Sequence, residues 1–358
     1  MTDVLAQRIG ARALELIDIP SESGSEARLA AHVISVLAQA GVAVRDAGDT
    51  CVVAGADARG DKPLVLLAGH FDTVPAQDNI PGSLDGETVH GLGAADMKGA
   101  LAVMVELAIA QTDGFGGELD LGFVFFGREE LPYAQSALTP LLASDPALRD
   151  ADLAIVMEPT GNELQLGCLG NIFASWTFGG RSGHAARPWL ADNALYRAAE
   201  GLRAVAQSDY PTVEIDGLSY REVVSVTGIA GGIAPNVIPD SAVAQVNHRY
   251  PPGLRSVEAE ERLHALCDPH GTLEILSNAP SGPLPAGNPL VERLRVMGGL
   301  EVAAKQAWTP VAEFGSAGID AVNFGPGDPG QAHARTESVT LSALAASYRT
   351  LESFARGA

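Results

Sequence analysis

Residues 5–41 carry apolar side chains at helical spacing, most clearly from Leu29 to Leu37, and predict two helices. Pro20 and the Ser/Gly-rich residues up to Glu26 break the pattern, and Ser23 or Ser25 is placed to cap the second helix. Residues 64–68 then form a continuous apolar run too short for a typical helix, which predicts a strand buried on both faces and ending at His70. An Ala-rich apolar stretch over 97–110 reads as a helix opened by Asp96 and Gly99. Further buried strands are predicted over 119–126 and 153–157. Strands alternating with helices imply an α/β sheet with helices on both faces.

The pattern changes near Gly170. Alternating apolar and polar positions over 171–180, 223–229 and 242–250 predict half-exposed strands, with helices over 193–206 and 257–267. The Pro/Gly-rich seam 278–285 closes this region, and residues 290–358 return to helix–strand–helix texture. The expected organisation is a main α/β domain, 1–173 with 284–358, interrupted by a smaller α+β domain over 174–283.

Composition narrows the possibilities. With 358 residues, 46% hydrophobic and 19% charged, the chain is an ordinary globular protein able to build a core without disulfides. Its three cysteines, Cys51, Cys168 and Cys267, are far apart and form no CxxC pair, which argues against a disulfide framework or a thiolate zinc site. A net charge of −21 opposes nucleic-acid binding, and any anionic substrate must meet a local positive centre. The start Met1-Thr2-Asp3-Val4 lacks the basic and apolar regions of a signal peptide, and no apolar run reaches the ~18 residues of a bilayer span. The expectation is a cytoplasmic protein with no membrane partner.

Candidate chemistry gathers at the strand ends. His70 and Asp72 lie in Gly69-His70-Phe71-Asp72-Thr73-Val74-Pro75, at the end of the first buried strand, where ligand sites of open α/β sheets form. Asp96 stands at a helix start, where it could cap the helix and still offer an oxygen to a metal. Glu129 and Glu130 follow another apolar strand. Adjacent carboxylates there repel unless a cation shares them, so Glu130 suits a metal ligand and Glu129 a general base. Glu158 follows the next strand, and His333 lies near the C-terminus. Taken singly, each of these has an ordinary structural explanation. Together, two imidazoles and three carboxylates without a thiolate suit zinc, or less selectively cobalt or manganese. One bridging carboxylate with a His and a carboxylate on each ion makes a two-metal set. Asp72 is spaced to orient His70 from behind.

These segments, in this order, resemble the M20 family of metallopeptidases and deacylases over nearly the whole chain. The resemblance implies two zinc ions per subunit, one held by His70 and Glu158, the other by Glu130 and His333, with Asp96 bridging. It also implies Glu129 as general base and Asp72 as the partner of His70. The main domain would then be zinc-peptidase-like, and the inserted region resembles the family's dimerisation, or lid, domain, which implies a ferredoxin-like α+β fold. There Phe178-Gly179-Gly180-Arg181-Ser182-Gly183-His184 matches a loop whose His reaches a partner subunit's active site and steadies the oxyanion. Asn236, in Gly232-Ile233-Ala234-Pro235-Asn236, and Arg249, in Asn247-His248-Arg249-Tyr250, match substrate-binding positions; a planar guanidinium suits a carboxylate. A homodimer acting on a small N-acyl amino acid is therefore implied.

Within the family, Glu158-Pro159-Thr160-Gly161, the stretch Arg187-Pro188-Trp189-Leu190-Ala191-Asp192-Asn193-Ala194, and Val322-Asn323-Phe324-Gly325-Pro326-Gly327-Asp328-Pro329 look most like the branch that desuccinylates N-succinyl-LL-2,6-diaminopimelate. The chain departs from that branch at two positions of one run, and its loop Leu166-Gly167-Cys168-Leu169-Gly170 also lacks the paired Arg of many such enzymes. Where it carries a Thr-Asp-x-Ala-Arg-type run, this chain reads Thr309-Pro310-Val311-Ala312-Glu313. An Arg-to-Glu change in an acyl pocket would reverse a charge. Acetylornithine deacetylation, other N-acyl amino acid hydrolysis and dipeptide hydrolysis therefore stand as alternatives, as does a non-catalytic binding or assembly role. Pro310 would remove a backbone donor.

Overall fold

The computed structural model describes residues 3–56, 61–112 and 117–357. It divides into two compact units. The first runs to Gly167 and takes in Pro283–Lys305 and the chain from Thr309 on; the second is Cys168–Gly282 with Gln306–Trp308. Strand Gly170–Gly179 passes unbroken through position 173, so the division falls ahead of it.

The first unit is built on an eight-stranded mixed sheet. In spatial order its strands are Val44–Gly48, Cys51–Ala54, Asp120–Phe126, Leu64–His70, Leu153–Val156, Ala321–Asn323, Leu164–Leu166 and Val302–Ala304. All of Leu64–His70 is buried, and it pairs in parallel with Asp120–Phe126 on one side and Leu153–Val156 on the other. A strand covered on both faces must be apolar throughout, which is why this run does not alternate. Helix Lys98–Thr112 is buried from Lys98 to Ala108, and helices Val4–Ile17 and Leu341–Arg356 contribute to the same core. A Cβ at Gly69 would stand 2.7 Å from Leu101 Cδ2 and 2.8 Å from Met97 Cε. Glycine there lets the helix lie close against the strand just before His70.

The second helix, Ala27–Gln39, begins differently from the capping expectation. Glu26 occupies the N-cap position with no side-chain cap bond. Ser23 Oγ instead donates to Asp72 Oδ2 at 2.8 Å. Among the described residues no helix is long and apolar enough to cross a membrane.

The second unit follows a strand–helix–strand–strand–helix–strand order. Its four-stranded antiparallel sheet is arranged Val223–Gly231, Ser241–Tyr250, Gly170–Gly179, Thr272–Ala279. This is the ferredoxin-like arrangement. Burial alternates along Gly170–Gly179, as a sheet covered on one face requires. Helices Ala194–Gln207 and Ser256–Cys267 supply the covering layer over Trp176 and Phe178, whose ring centroids are 4.5 Å apart.

Candidate metal centre

Three neighbouring strands deliver the first unit's polar cluster. They run parallel, so their C-terminal ends lie at one edge of the sheet. His70 ends Leu64–His70, Glu129 and Glu130 follow Asp120–Phe126, and Glu158 follows Leu153–Val156. Asp96 precedes helix Lys98–Thr112, and His333 lies in the loop after Ala321–Asn323. Three sets of donor atoms form there, each within 4.8 Å of one another: His70, Asp96 and Glu158; His70, Glu129 and Glu130; Asp96, Glu130 and His333.

Asp96 joins the first set to the third. Its Oδ1 lies 3.2 Å from His70 Nε2 and its Oδ2 3.7 Å from His333 Nε2. His333 Nε2 is also 2.9 Å from Glu130 Oε1, and Glu158 Oε1 is 3.7 Å from His70 Nε2.

Behind these donors, Asp72 makes two kinds of contact. Its backbone carbonyl is 2.9 Å from His70 Nδ1, nearer than its carboxylate at 3.5 Å. A carbonyl can only accept, so Nδ1 carries a proton, and Nε2 is the ring nitrogen that faces the cluster and is free to bind a metal once it has lost its own proton. The Asp72 carboxylate accepts the backbone N–H groups of Glu129 and Glu130, each at 3.0 Å. Arg128 makes that turn with a left-handed φ of 62°, its guanidinium bonded to Asp49 and to the Gln135 carbonyl.

The electrostatics call for cations. Burial, and then the Glu158 charge, push Glu129 well above the usual glutamate value. Burial and the Asp96 charge push Glu158 up to about 7. For Asp96, burial works toward a higher value, but the bond to His70 and the charges of His70 and His333 hold it below the aspartate norm. Burial likewise opposes the shift of Asp72, which its contacts with His70 and the two amides hold low. His70 is raised well above 6.5: burial works against this, and its bonds to Asp72 and Asp96 prevail. The Glu130 bond lifts His333 to about 9. Glu158 Oε1 is buried with no hydrogen-bond partner among the described residues. An orphaned acceptor beside an imidazole nitrogen, amid excess carboxylate, fits a divalent cation held by N and O donors.

The other three site candidates belong to the second unit. Residues Gly183–His184 pair with Val237–Ile238, and the Ala185 N–H donates to the Asn236 carbonyl at 3.0 Å. The His184 and Asn236 loops are thus joined. The Ala186 N–H donates to His184 Nδ1 at 3.0 Å, so neutral His184 carries its proton on Nε2. Arg249 lies on Ser241–Tyr250, where its Nε donates to Asn247 Oδ1 at 2.9 Å.

Pro310 and Glu313 both find a local explanation. Pro310 has φ −58° and stands at the N-cap of helix Val311–Ser316, where its missing N–H costs little. Glu313 is 2% exposed, and Thr139 Oγ1 donates to its Oε1 at 2.6 Å. Burial raises its carboxyl above the ordinary value. The side chain faces the interior of the first unit and offers no charge to solvent.

Glu337 emerges only from the structure. Its carboxylate accepts backbone N–H groups from Gly93, Ala95 and Asp96 at 2.8, 2.9 and 2.8 Å. Gln77 is a second such residue, donating from Nε2 to the His333 carbonyl at 3.0 Å.

Comparison with known proteins gives the chain's family. Residues 66–357 match the model of peptidase family M20/M25/M40. A Mycobacterium tuberculosis protein bearing the DapE name is 38% identical over 345 residues, covering 96% of each chain. The succinyl-diaminopimelate desuccinylase of Corynebacterium glutamicum is 35% identical over 337 residues, covering 92% of this chain and 91% of that one. Among solved structures, a Staphylococcus aureus tripeptidase superposes with a TM-score of 0.78 at 18% identity, covering 98% of each chain. A Sulfolobus solfataricus M20 family metallo-carboxypeptidase gives 0.77 at 16% identity, covering 99% of this chain and 98% of that one. At such identities these two speak for the fold alone. With a family match spanning most of the chain and a strand-end cluster of side chains that could hold a metal, the protein belongs to peptidase family M20/M25/M40.

Proposed function

We propose that this protein is a two-zinc amidohydrolase that cleaves N-succinyl-LL-2,6-diaminopimelate to succinate and LL-2,6-diaminopimelate. The observation that carries the reading is Asp96, whose two oxygens face His70 and His333 and so link two N/O donor sets. His70 and Glu158 would hold one ion and Glu130 and His333 the other, with Asp96 between them. Cobalt or manganese, which accept the same donors, could replace zinc. The choice of acyl group follows the relatives bearing the desuccinylase name over more than nine-tenths of the chain. The burial of Glu313 removes the charge argument for a cationic substrate tail.

A bound metal pair supplies Lewis-acid polarisation and a more acidic water. Glu129, its carboxyl raised by burial and by Glu158, accepts the proton of the attacking water and returns it to the leaving amine. Asp72 holds Glu129 and Glu130 in place through their amides. His184 donates from Nε2 to the oxyanion, and Asn236 and the Arg249 guanidinium bind the substrate, Arg249 at its carboxylate end.

His184 acts in our reading from a partner subunit, within a homodimer. Strand Val223–Gly231 lies at an edge of its sheet, an open row of backbone donors and acceptors suited to strand pairing. Trp189 and Ile233 of the same unit are 74% and 88% exposed. A doubly charged small substrate does not cross a bilayer unaided, and we place the enzyme in the cytoplasm. Succinate release by the zinc-loaded protein, lost in the metal-free protein and in Glu129→Gln, tests the reading. Turnover by Glu129→Gln at the wild-type rate would overturn the role of Glu129.

A further inference from the structure

The segment 333–337 ties together two parts of the cluster that are distant in sequence. At one end, His333 has a left-handed φ of 61°, uncommon for a residue with a Cβ. Gln77 Nε2 holds its carbonyl at 3.0 Å, and Arg335 pairs with Asp78 at 2.9 Å. At the other end, Glu337 is 2% exposed. Its Oε1 accepts the N–H groups of Ala95 and Asp96, and its Oε2 that of Gly93. The Glu337 carbonyl accepts the N–H of Gly91 at 3.1 Å, and the Asn79 carbonyl accepts that of Leu92 at 3.0 Å. A turn whose amides are committed to one buried carboxylate has little freedom to rotate. Asp96 is the last residue of that turn, so its carboxylate is aimed by the same bonds.

We propose that Glu337 is the positioning residue of the metal centre: it fixes the turn 91–96 so that Asp96 faces His70 and His333, and anchors the segment that carries His333. Glu337 touches none of the donor atoms and acts through the backbone it holds. The inference rests on the two-metal reading given above. Because Asp96 faces both donor sets, loss of Glu337 weakens both sites. Loss of Gln77 acts only at the His333 end.

The test is zinc titration of metal-free wild type, Glu337→Gln, Glu337→Ala and Gln77→Ala by calorimetry, with the melting temperature of each metal-free protein measured alongside. Glutamine keeps one oxygen for Ala95 and Asp96 but turns an NH2 toward the Gly93 amide. We expect Glu337→Gln to weaken both sites about 10- to 100-fold, as loss of a partner behind a metal ligand commonly does, and Glu337→Ala to weaken them further. Gln77→Ala should weaken one site only. Both sites retaining wild-type affinity in folded Glu337→Gln, with only the metal-free melting temperature lowered, would overturn the inference and leave Glu337 a purely structural residue. If Glu337→Ala does not fold, Glu337→Gln alone decides. Wild type that takes up no zinc would overturn the two-metal reading itself, and the inference with it.

Discussion

The Asp72 carboxylate accepts the backbone N–H of Glu130 at 3.0 Å, and its other oxygen takes that of Glu129 at the same distance. One side chain thereby fixes the doublet to which we assign a metal ligand and a general base side by side. Asp72→Ala should lower kcat/KM and zinc affinity by about 10- to 100-fold. Steady-state kinetics with metal titration checks this, and unchanged values for both would show that the doublet holds its geometry without Asp72.

Glu129→Gln separates base from ligand. Glutamine cannot take a proton, so kcat should fall about 10²- to 10⁴-fold while two zinc ions remain bound. Metal analysis of the purified variant with its kinetics decides the matter. A loss of one ion equal to the loss of activity would make Glu129 a ligand.

His184→Ala should lower kcat about 10²- to 10³-fold, the usual cost of one oxyanion donor, with metal content unchanged. Ile229→Asp, on the edge strand, should yield a monomer that still binds zinc but no longer turns over. Light scattering and kinetics check both properties together. An active monomer would contradict a His184 that works in trans.

Stability should respond to pH through Glu222 in the second unit. His248 Nε2 lies 2.8 Å from one of its oxygens and Arg262 donates to the other at 2.8 Å. Burial favours a raised carboxyl, but the contacts with His248 and Arg262 outweigh it and hold Glu222 below 4.5. A depressed folded-state value contributes stability that is complete above the unfolded value and disappears as pH falls through the folded one. The melting-temperature gap between wild type and Glu222→Gln should therefore be widest near neutrality and close progressively below about 4.5. A gap that stays constant into acid would show that packing, not charge, sets the cost.

The positions of His70, Glu130 and Glu158 are legible in the sequence because each follows an apolar strand run, and several such residues at successive strand ends point to one shared site where a single one would not. Both helices of the second unit are legible from their spacing. Glu337 is not legible: it sits among ordinary polar residues, and its partners are backbone amides more than two hundred positions away, which leave no side-chain signature. The Ser23 hydroxyl misleads for a related reason. Its position suggests a local helix cap, but the chain brings it to Asp72, a distant acceptor. Likewise Glu313 reads as a reversed pocket charge, and only packing shows that it faces Thr139 inside the first unit.

The substrate is the central claim, and parallel kinetics of the zinc-loaded protein on N-succinyl-LL-2,6-diaminopimelate and N-acetylornithine tests it most directly. Fast release of succinate with little acetate is the expected result, and would show that Pro310 and Glu313 are accommodated without changing specificity. Preferential deacetylation, or no cleavage of either compound by protein carrying its full metal complement, would contradict the desuccinylase reading.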